Sequence, residues 1–470
     1  MVEVLRPDLC VFGAGAGGVA AAYAAAAAGA SVAVVENRQF NEGYPNPALL
    51  MHVLIDAARS FSARRNDPLF GPPPHELTLD RAALRARAEK LAARLTFDSP
   101  TKLAALNINV IQGKARFTGR RRLETADAIV EAKWFILAPG AVPPLMSGIK
   151  GFEFARALRL EALLDLDAWP DRLVLIGGSP HGLALAQALC RLGAQVHLFE
   201  AGRFLPEEDR ELVVPLLNRL RRDGVVMHEE AVVDAIEPDA KGFHVVARER
   251  GTALRLAASH LMVTAAPVPL TEGLGLAEAQ VKYDKTGVKV DANLRTSNPH
   301  IYAIGDVLGG LQSYANTRFQ AHRVIGRIFE DEKRAAAPVP RLVFTDPQLA
   351  VIGLTEAQAH KADRKIRILR ASFNDNVAAQ IAGESEGHVK IITDSYGRLL
   401  GAGIVAPQAR ELIALFGLAI GRRLLAKDLR GFVPASPSLT ETGRLAALAS
   451  PPQLGKALWR RIFPVSRRFY

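Results

Sequence analysis

Cysteine is nearly absent from this chain, which has two, Cys10 and Cys190, among 470 residues. Cys10 lies in an apolar strand pattern and Cys190 in a helical one, far apart in the sequence. We therefore expect two small, buried apolar side chains and no disulfide. This cysteine usage excludes a disulfide-stabilised scaffold and indicates a reducing cytoplasm.

Long apolar runs are also missing. The longest, residues 19–28, is mostly alanine and is too short to cross a bilayer. The opening residues, MVEVLRPD, lack the apolar core of a signal peptide. The sequence therefore predicts no transmembrane segment. Its length predicts two to four packed units.

Acidic residues are fewer than basic ones, which gives a net charge of +11. The basic residues are spread along the chain except in two places, so we predict no nucleic-acid binding. One is GRRR at 119–122, which we interpret as a solvated hairpin turn. The other is the acid-free, aromatic tail 451–470. Two interpretations of the tail stay open: it contacts an anionic membrane at the inner face, or it packs on the protein.

A nucleotide-binding pattern stands at the beginning of the chain. An apolar strand, a glycine turn, an alanine-rich helix and a second strand follow one another up to Glu36. Gly13, Gly15 and Gly18 match G-x-G-x-x-G, in which the glycines allow a tight turn, a close approach to a pyrophosphate, and helix packing. Glu36 is placed to bind an adenosine ribose. The pattern predicts dinucleotide binding.

A second copy of this pattern places Gly177, Gly182 and Glu200 in the equivalent positions. Its middle glycine is replaced by Ser179, and Pro180 follows, so the approach of a pyrophosphate is less favourable there. The acid Glu200 favours NAD over NADP.

A third motif, IYAIGDV at 301–307, predicts a short strand that delivers Gly305 and Asp306 into a turn before a helix. A carboxylate there is suited to the hydroxyls of a sugar alcohol in a cofactor cleft. The alternative is that Asp306 only caps the helix.

Taken in order, these motifs, together with LAPG at 137–140, FTDPQLAVIGLTEAQA at 344–359 and PSLTE at 437–441, resemble the flavoprotein disulfide reductases. This pyridine nucleotide-disulfide oxidoreductase family includes dihydrolipoamide dehydrogenase and mercuric reductase. The resemblance implies an α/β fold with two Rossmann-like domains and an α+β dimerisation domain, FAD bound with the help of Gly140, and a homodimer. It implies an FAD domain at 1–150 and 271–336, an NAD(P)-like domain at 151–270, and an interface domain at 337–450.

The chain departs from the family where the family carries its redox disulfide. Between Glu36 and His52 there is neither Cys nor Lys, and Pro47 stands at the position of a family lysine. The glutamate that pairs with that lysine is replaced by Ala184. Both partners of a buried ion pair are thus missing together, which avoids a stranded charge.

Two further family positions differ. Pro180 replaces the aromatic gate over the flavin, and His181 stands beside it. Ser436 replaces the histidine of the family's C-terminal His-Pro-Thr-x-x-Glu motif. Disulfide exchange requires a thiolate and a proton partner, and the sequence supplies neither.

We therefore predict an FAD-dependent oxidoreductase that passes electrons from NADH to an external small-molecule acceptor such as a quinone. A catalytically reduced flavoprotein, with structural FAD and a dimer that binds a partner, is the main alternative. A flavoenzyme acting on an unrelated small substrate is another.

Three side chains are catalytic candidates, and no metal site is predicted. Tyr44 either covers the flavin or packs its loop. His181 is either a proton donor near the nicotinamide or flavin, or a histidine in a surface turn. Glu441, which has lost its imidazole partner, is otherwise a helix-capping residue.

Overall fold

A computed structural model of the chain describes residues 3–36, 47–66, 78–95, 100–144, 146–240, 242–310, 312–330, 338–362 and 365–449. Tyr44 and the tail 451–470 lie outside the described residues, so what was expected of them stays a prediction. Among the described helices, none is both long enough and apolar enough to cross a membrane.

The strands, in chain order, are β1 Glu3–Leu5, β2 Leu9–Phe12, β3 Val32–Glu36, β4 Ile108–Gln112, β5 Arg116–Gly119, β6 Arg122–Glu124, β7 Ala128–Val130, β8 Trp134–Leu137, β9 Ala141–Val142, β10 Arg172–Ile176, β11 Gln195–Glu200, β12 Val226–Glu229, β13 Ala231–Asp239, β14 Gly242–Glu249, β15 Thr252–Ala258, β16 His260–Val263, β17 Val268–Pro269, β18 Tyr283–Asp284, β19 Gly287–Val288, β20 Ile301–Ala303, β21 Arg341–Val343, β22 Gln348–Gly353, β23 Ile366–Ser372, β24 His388–Asp394 and β25 Leu399–Ala406.

The α-helices are α1 Ala16–Ala27, α2 Pro47–Asn66, α3 Arg81–Leu95, α4 Pro100–Ala105, α5 Leu160–Leu163, α6 Pro180–Arg191, α7 Arg210–Arg222, α8 Tyr314–Phe329, α9 Glu356–Lys361, α10 Val377–Ile381, α11 Ala409–Gly421, α12 Ala426–Arg430 and α13 Glu441–Leu448. Short 3₁₀ turns cover Phe152–Ala155, Gly305–Leu308 and Phe373–Asp375.

The chain divides into two compact units. The first contains residues 1–206 and 217–346, and the second contains 207–216 and the residues from 347 onward. The separation of the first unit into an FAD region and an NAD region stays a prediction.

A five-stranded parallel sheet, ordered β20-β8-β2-β3-β4, forms one core of the first unit. All four residues of its central strand β2 are buried, because both faces of the sheet are covered. Leu9 and Val11 pack into one apolar cluster, and Cys10 and Phe12 pack into another. This alternation follows from the two-residue period of a strand.

The alanine-rich composition of α1 allows close packing against α8. A Cβ added to Gly17 in α1 would lie 2.3 Å from the Thr317 methyl group of α8, so a larger side chain would separate the helices. Small residues thus let the helix lie close to its neighbours and bring its first turn to the end of β2.

A second parallel sheet, ordered β12-β11-β10-β16, repeats the arrangement within the first unit. The antiparallel sheet β13-β14-β15 accompanies it. The basic GRRR segment joins the antiparallel strands β5 and β6, as the hairpin interpretation predicted.

The second unit is built on the antiparallel strands β22-β25-β24-β23, with α11 packed against β22 and β25. Its core contains one buried lysine, Lys390. The Lys390 amine lies 2.9 Å from Asp209, 2.5 Å from Glu211 and 2.7 Å from Glu356. Because a buried charge requires partners, this cluster fixes the segment 207–216 to the second unit.

Candidate functional site

The first glycine turn follows β2 at the carboxyl end of the first parallel sheet. Gly13 has a φ of +110°, and a Cβ there would lie 2.2 Å from the carbonyl oxygen of Ala138. The Gly13 N–H donates to the carbonyl of Val35 at 2.8 Å. Glycine is therefore required, because the chain must turn in the left-handed region against a neighbouring backbone.

The first turn of α1 faces open space. Gly15 is the N-cap of this helix; among the described residues, no side chain caps it and no atom lies within 4 Å of an added Cβ. A Cβ on Gly18 would instead lie 1.8 Å from the carbonyl oxygen of Gly13, so this glycine is required for packing. The helix thus presents backbone N–H groups and its positive dipole end to an open cradle, which fits a dinucleotide pyrophosphate.

Glu36, at the end of β3, lies beside this cradle. One of its carboxylate oxygens accepts the Ala14 N–H at 2.6 Å. This hydrogen bond holds the half-buried carboxylate next to the glycine turn. A carboxylate in this position is suited to ribose hydroxyls, so the residues present fit the adenosine end of FAD.

The second glycine turn repeats the backbone geometry of the first. Gly177 has a φ of +113°, and its N–H donates to the Phe199 carbonyl at 2.8 Å. A Cβ on Gly177 would lie 2.2 Å from the Ala265 nitrogen, and one on Gly182 would lie 2.3 Å from the Gly177 oxygen. The predicted glycines are therefore needed for the same steric reasons in both copies.

Ser179 closes the helix terminus of the second copy. Its hydroxyl accepts the Gly182 N–H at 3.1 Å and donates to the Thr264 carbonyl at 2.6 Å. Pro180, at the first helical position, has no N–H to offer. The helix α6 therefore presents fewer backbone donors to a pyrophosphate than α1 does.

Glu200 is oriented by backbone donors on both of its carboxylate oxygens. The Gly178 N–H donates to one at 2.7 Å, and the Gly202 N–H donates to the other at 3.1 Å. The first of these bonds corresponds to the bond between Ala14 and Glu36. Glu200 is thus held where it can meet a ribose, in agreement with an NAD-binding arrangement.

The turn that carries Gly305 and Asp306 is fixed by a buried glutamine that the sequence did not single out. The Gly305 N–H donates to the side-chain oxygen of Gln320, in α8, at 2.7 Å. A short 3₁₀ turn begins at Gly305, and its N-cap is Ile304, so the helix-capping alternative does not describe Asp306. The exposed Asp306 side chain remains available for a polar ligand.

Asp306 and His181 influence each other electrostatically. Desolvation by surrounding protein atoms lowers the pKa of His181, and the negative charge of Asp306 opposes this shift. Desolvation likewise raises the pKa of Asp306, and His181 opposes it. Both side chains keep solvent-accessible surface, so neither belongs to a closed core. His181 is the second residue of α6 and not part of an isolated surface turn.

The positions of the missing family ion pair lie on two helices in contact. Helix α2 begins at Pro47 and packs against α6, in which Ala184 is buried. An apolar side chain on α6 requires no charged partner, so the double replacement is compatible with a packed interface.

The two remaining predicted site residues, Gly140 and Glu441, lie in different units. Gly140 follows β8, has a φ of +81°, and leaves open space around its α-carbon. Glu441 is the first residue of α13 in the second unit, where its carboxylate accepts the Ser438 N–H at 3.4 Å. This contact holds the Glu441 carboxylate against the turn that precedes α13.

Neither cysteine is suited to thiolate chemistry. Burial raises the pKa of the Cys10 thiol well above its usual range. Cys190 donates its S–H to the Asp223 carbonyl at 3.1 Å, and burial raises the pKa of Cys190 to about 11. Both thiols therefore stay protonated at neutral pH. Within the described ranges, no group of three or more His, Cys, Asp and Glu side chains is arranged to hold a metal ion.

Comparison with known proteins extends over nearly the whole chain. Residues 7–321 match the family described as pyridine nucleotide-disulphide oxidoreductase, and residues 339–447 match the dimerisation domain of that family. The chain is 32% identical over 454 residues to a dihydrolipoyl dehydrogenase from Thermus scotoductus (strain ATCC 700910 / SA-01), covering 92% of this chain and 95% of the relative. It is 29% identical over 456 residues to a dihydrolipoyl dehydrogenase from Bacillus subtilis (strain 168), covering 94% and 98%.

A solved structure shares the fold. The Cu(II) complex of the HOCl-induced flavoprotein disulfide reductase RclA from Escherichia coli superposes with a TM-score of 0.80. The sequences are 24% identical, and the match covers 95% of this chain and 100% of the other.

These comparisons confirm the predicted fold class and the resemblance on which it rested. The predicted cofactors, FAD with NADH as electron donor, are also confirmed, because the family is FAD-dependent and uses NAD(H). The dimerisation domain supports the predicted homodimer. The chain belongs to the pyridine nucleotide-disulphide oxidoreductase family.

Proposed function

We propose that the protein passes electrons from NADH, by way of FAD, directly to an external acceptor such as a quinone, without a thiol relay. The observation that carries this proposal is the combination of an open first glycine turn with two unreactive thiols. Gly15 leaves room for a dinucleotide, whereas Cys10 and Cys190 are protonated and engaged within the fold. Transfer to the acceptor is therefore direct.

The chain's own residues bind and orient the nucleotides. Gly13, Gly15 and Gly18 form the pyrophosphate cradle for FAD, and Glu36 accepts hydrogen bonds from its ribose. Bound FAD supplies electron transfer in one-electron or two-electron steps, which requires no side-chain nucleophile. Gly140, Gly305 and Asp306 complete the FAD site.

NADH is assigned to the second glycine turn. Gly177 and Gly182 give the chain its tight turn, and Glu200 selects a free ribose 2′-hydroxyl. The FAD domain comprises residues 1–150 and 271–336, the NAD domain comprises 151–270, and the interface domain comprises 337–450. These boundaries place each glycine turn in its own nucleotide-binding domain.

A second candidate function is a flavoprotein in which FAD is structural and the dimer binds a partner. The Ser179 hydroxyl favours it, because this side chain occupies a backbone donor that a pyrophosphate would use. Pro180 removes another donor. If these changes exclude NADH, the flavin has no electron source within the protein.

The experiment measures NADH oxidation by the FAD-loaded protein with three acceptors: a soluble benzoquinone, ferricyanide and lipoamide. We expect turnover with the quinone and ferricyanide and none with lipoamide, whose disulfide requires a reactive thiolate. Turnover with lipoamide would contradict the direct transfer. No turnover with any acceptor, with FAD still bound, would favour the second candidate function.

The tail 451–470 would determine whether the protein reduces its acceptor at a membrane surface. Bound to anionic headgroups, it would bring the flavin close to membrane quinones; packed on the protein, it would not. Co-sedimentation with anionic liposomes separates the two outcomes when the full chain is compared with a variant ending at Ser450. Equal sedimentation of the two proteins would remove the membrane contact.

A further inference from the structure

Four exposed basic side chains lie close together in the second unit, and we call them the basic patch: Arg398, Arg422, Arg423 and Lys427. The first precedes β25, the next two lie between α11 and α12, and the last is the second residue of α12. Arg398 pairs with Leu425 in an antiparallel bridge. The Ala426 N–H donates to the Gly397 carbonyl at 2.8 Å. Two segments of the chain thus bring their basic side chains to one surface.

The charge of the basic patch is not neutralised within the fold. Among the described residues, none of its four side chains takes part in an ion pair. The acids close to them in the sequence bind backbone groups instead. Asp394 accepts the N–H groups of Tyr396 at 2.9 Å and Arg398 at 2.8 Å, and Asp428 accepts the Leu425 N–H at 2.8 Å. The patch is therefore available to an anionic ligand.

Exposed apolar groups accompany the basic patch. Tyr396, in the same turn as Arg398, is 77% exposed. Leu424, in the same loop as Arg422 and Arg423, is 36% exposed. Basic side chains interleaved with aromatic and aliphatic ones are typical of surfaces that bind the headgroup region of an anionic membrane. The patch thus combines the charge and the amphipathic ring that such a surface requires.

The tail 451–470 follows a helix that lies close to the basic patch. The Arg430 side chain, one turn along α12 from Lys427, donates to the Ala447 carbonyl of α13 at 3.1 Å. Helix α13 ends at Leu448, shortly before the tail. The tail is basic, aromatic and free of acids, so like charges oppose its covering the patch. A single anionic surface attracts both the patch and the tail.

We propose that the basic patch is a docking surface for an anionic membrane and that it acts together with the tail. Lipid phosphates pair with the four basic side chains, and the Tyr396 ring lies at the level of the headgroups. The inference extends the membrane contact of the proposed function from the tail to the folded second unit. Docking requires no electron transfer, so it is tested without turnover.

The test measures co-sedimentation of the FAD-loaded full chain with phosphatidylcholine vesicles that contain phosphatidylglycerol. The double variant Arg422→Gln with Arg423→Gln should bind about 30-fold more weakly, because each basic residue near an anionic surface contributes about fivefold in affinity. Vesicles of phosphatidylcholine alone should bind neither protein. The matched control, Lys90→Gln with Arg94→Gln, removes two exposed basic side chains from α3 in the first unit and should bind like the unchanged protein.

A second variant separates docking from folding. Arg422 and Arg423 follow the C-terminus of α11, where positive charge also stabilises a helix. Arg398→Gln with Lys427→Gln removes the same charge from other segments, so it should weaken vesicle binding by the same factor. Thermal unfolding should show that both variants are folded at the temperature of the binding assay.

Four results would overturn the inference. One is equal vesicle binding by the unchanged protein and both folded patch variants. Another is an equal loss in the α3 control, because net charge alone would then explain binding. Retention of the unchanged protein on heparin without binding to vesicles would assign the patch to an acidic protein or a nucleic acid. A changed oligomeric state in the patch variants would show that a second copy covers this surface. NADH oxidation by the soluble protein tests the proposed electron transfer separately.

Discussion

The two glycine turns have the same backbone and different helix termini. In both, the first glycine has a positive φ, its N–H donates to the end of the neighbouring strand at 2.8 Å, and an acid accepts the next N–H. The difference lies at the N-cap: Gly15 leaves the first helix uncapped, whereas the Ser179 hydroxyl caps the second. Steric requirements thus preserve the turn, while a single side chain decides how many donors face a ligand.

This difference suggests that the two glycine turns bind their nucleotides with different strengths. The first turn keeps its helix terminus open, as a tightly held cofactor requires. The second satisfies part of its own hydrogen-bonding capacity, so a nucleotide gains less by binding there. We expect FAD to stay bound through many turnovers and NADH to bind more weakly.

The largest effect is expected from Gly15→Leu. A Cβ at Gly15 has no described atom within 4 Å, so the fold should persist while the leucine side chain excludes the pyrophosphate. Charge-assisted hydrogen bonds contribute about 1.5–3 kcal/mol each, so the loss of two should weaken FAD binding by roughly 100-fold or more. Flavin content and fluorescence titration measure this.

Gly148→Leu is the matched control for that experiment, because a Cβ at Gly148 also meets open space. The Gly148→Leu protein should keep its FAD and therefore its yellow colour. A Gly15→Leu protein that retains FAD at full occupancy would show that the first turn is not the pyrophosphate site.

A smaller effect is expected when the two N-caps are exchanged. Ser179→Gly should release the Gly182 N–H and tighten NADH binding by about fivefold, since one hydrogen bond contributes about 1 kcal/mol. Gly15→Ser should weaken FAD binding by a similar factor. Isothermal titration measures both. Weaker NADH binding in Ser179→Gly would mean that the hydroxyl is itself a nucleotide ligand and not a competitor.

The smallest effect is expected for Glu200→Gln. The amide keeps one acceptor oxygen but turns a donor toward one of two backbone N–H groups, so folding stability should fall by about 1 kcal/mol. The preference for NADH over NADPH should narrow by about twofold, because one weakened hydrogen bond contributes about 0.5 kcal/mol. Urea denaturation and paired nucleotide titrations measure these. An increased NADH preference would contradict the role given to Glu200.

The glycine turns were predictable because the backbone of such a turn excludes any side chain at certain positions, and a short strand-turn-helix pattern in the sequence indicates where these positions are. Positive φ at Gly13 and Gly177 follows from a strand that must turn into a helix within a few residues. The acids Glu36 and Glu200 were predictable for the same reason, since each ends the next strand and so lies beside the turn.

The contacts made by distant residues were not predictable from these motifs. The sequence predicts that Ser179 makes the approach of a pyrophosphate less favourable, but not that its hydroxyl joins Gly182 to Thr264. Gln320 supports Gly305 from a separate helix. The electrostatic influence of Asp306 on His181 depends on how two sheets present their carboxyl ends, which spacing along one sequence does not encode.

Anaerobic addition of NADH to the purified, FAD-loaded protein tests the central claim most directly. The claim is that the capped second turn still admits NADH and that its electrons reach the flavin without thiols. The account predicts that the visible absorbance of the bound flavin bleaches with one equivalent of NADH and returns when benzoquinone is added. A flavin that stays oxidised in excess NADH would contradict it.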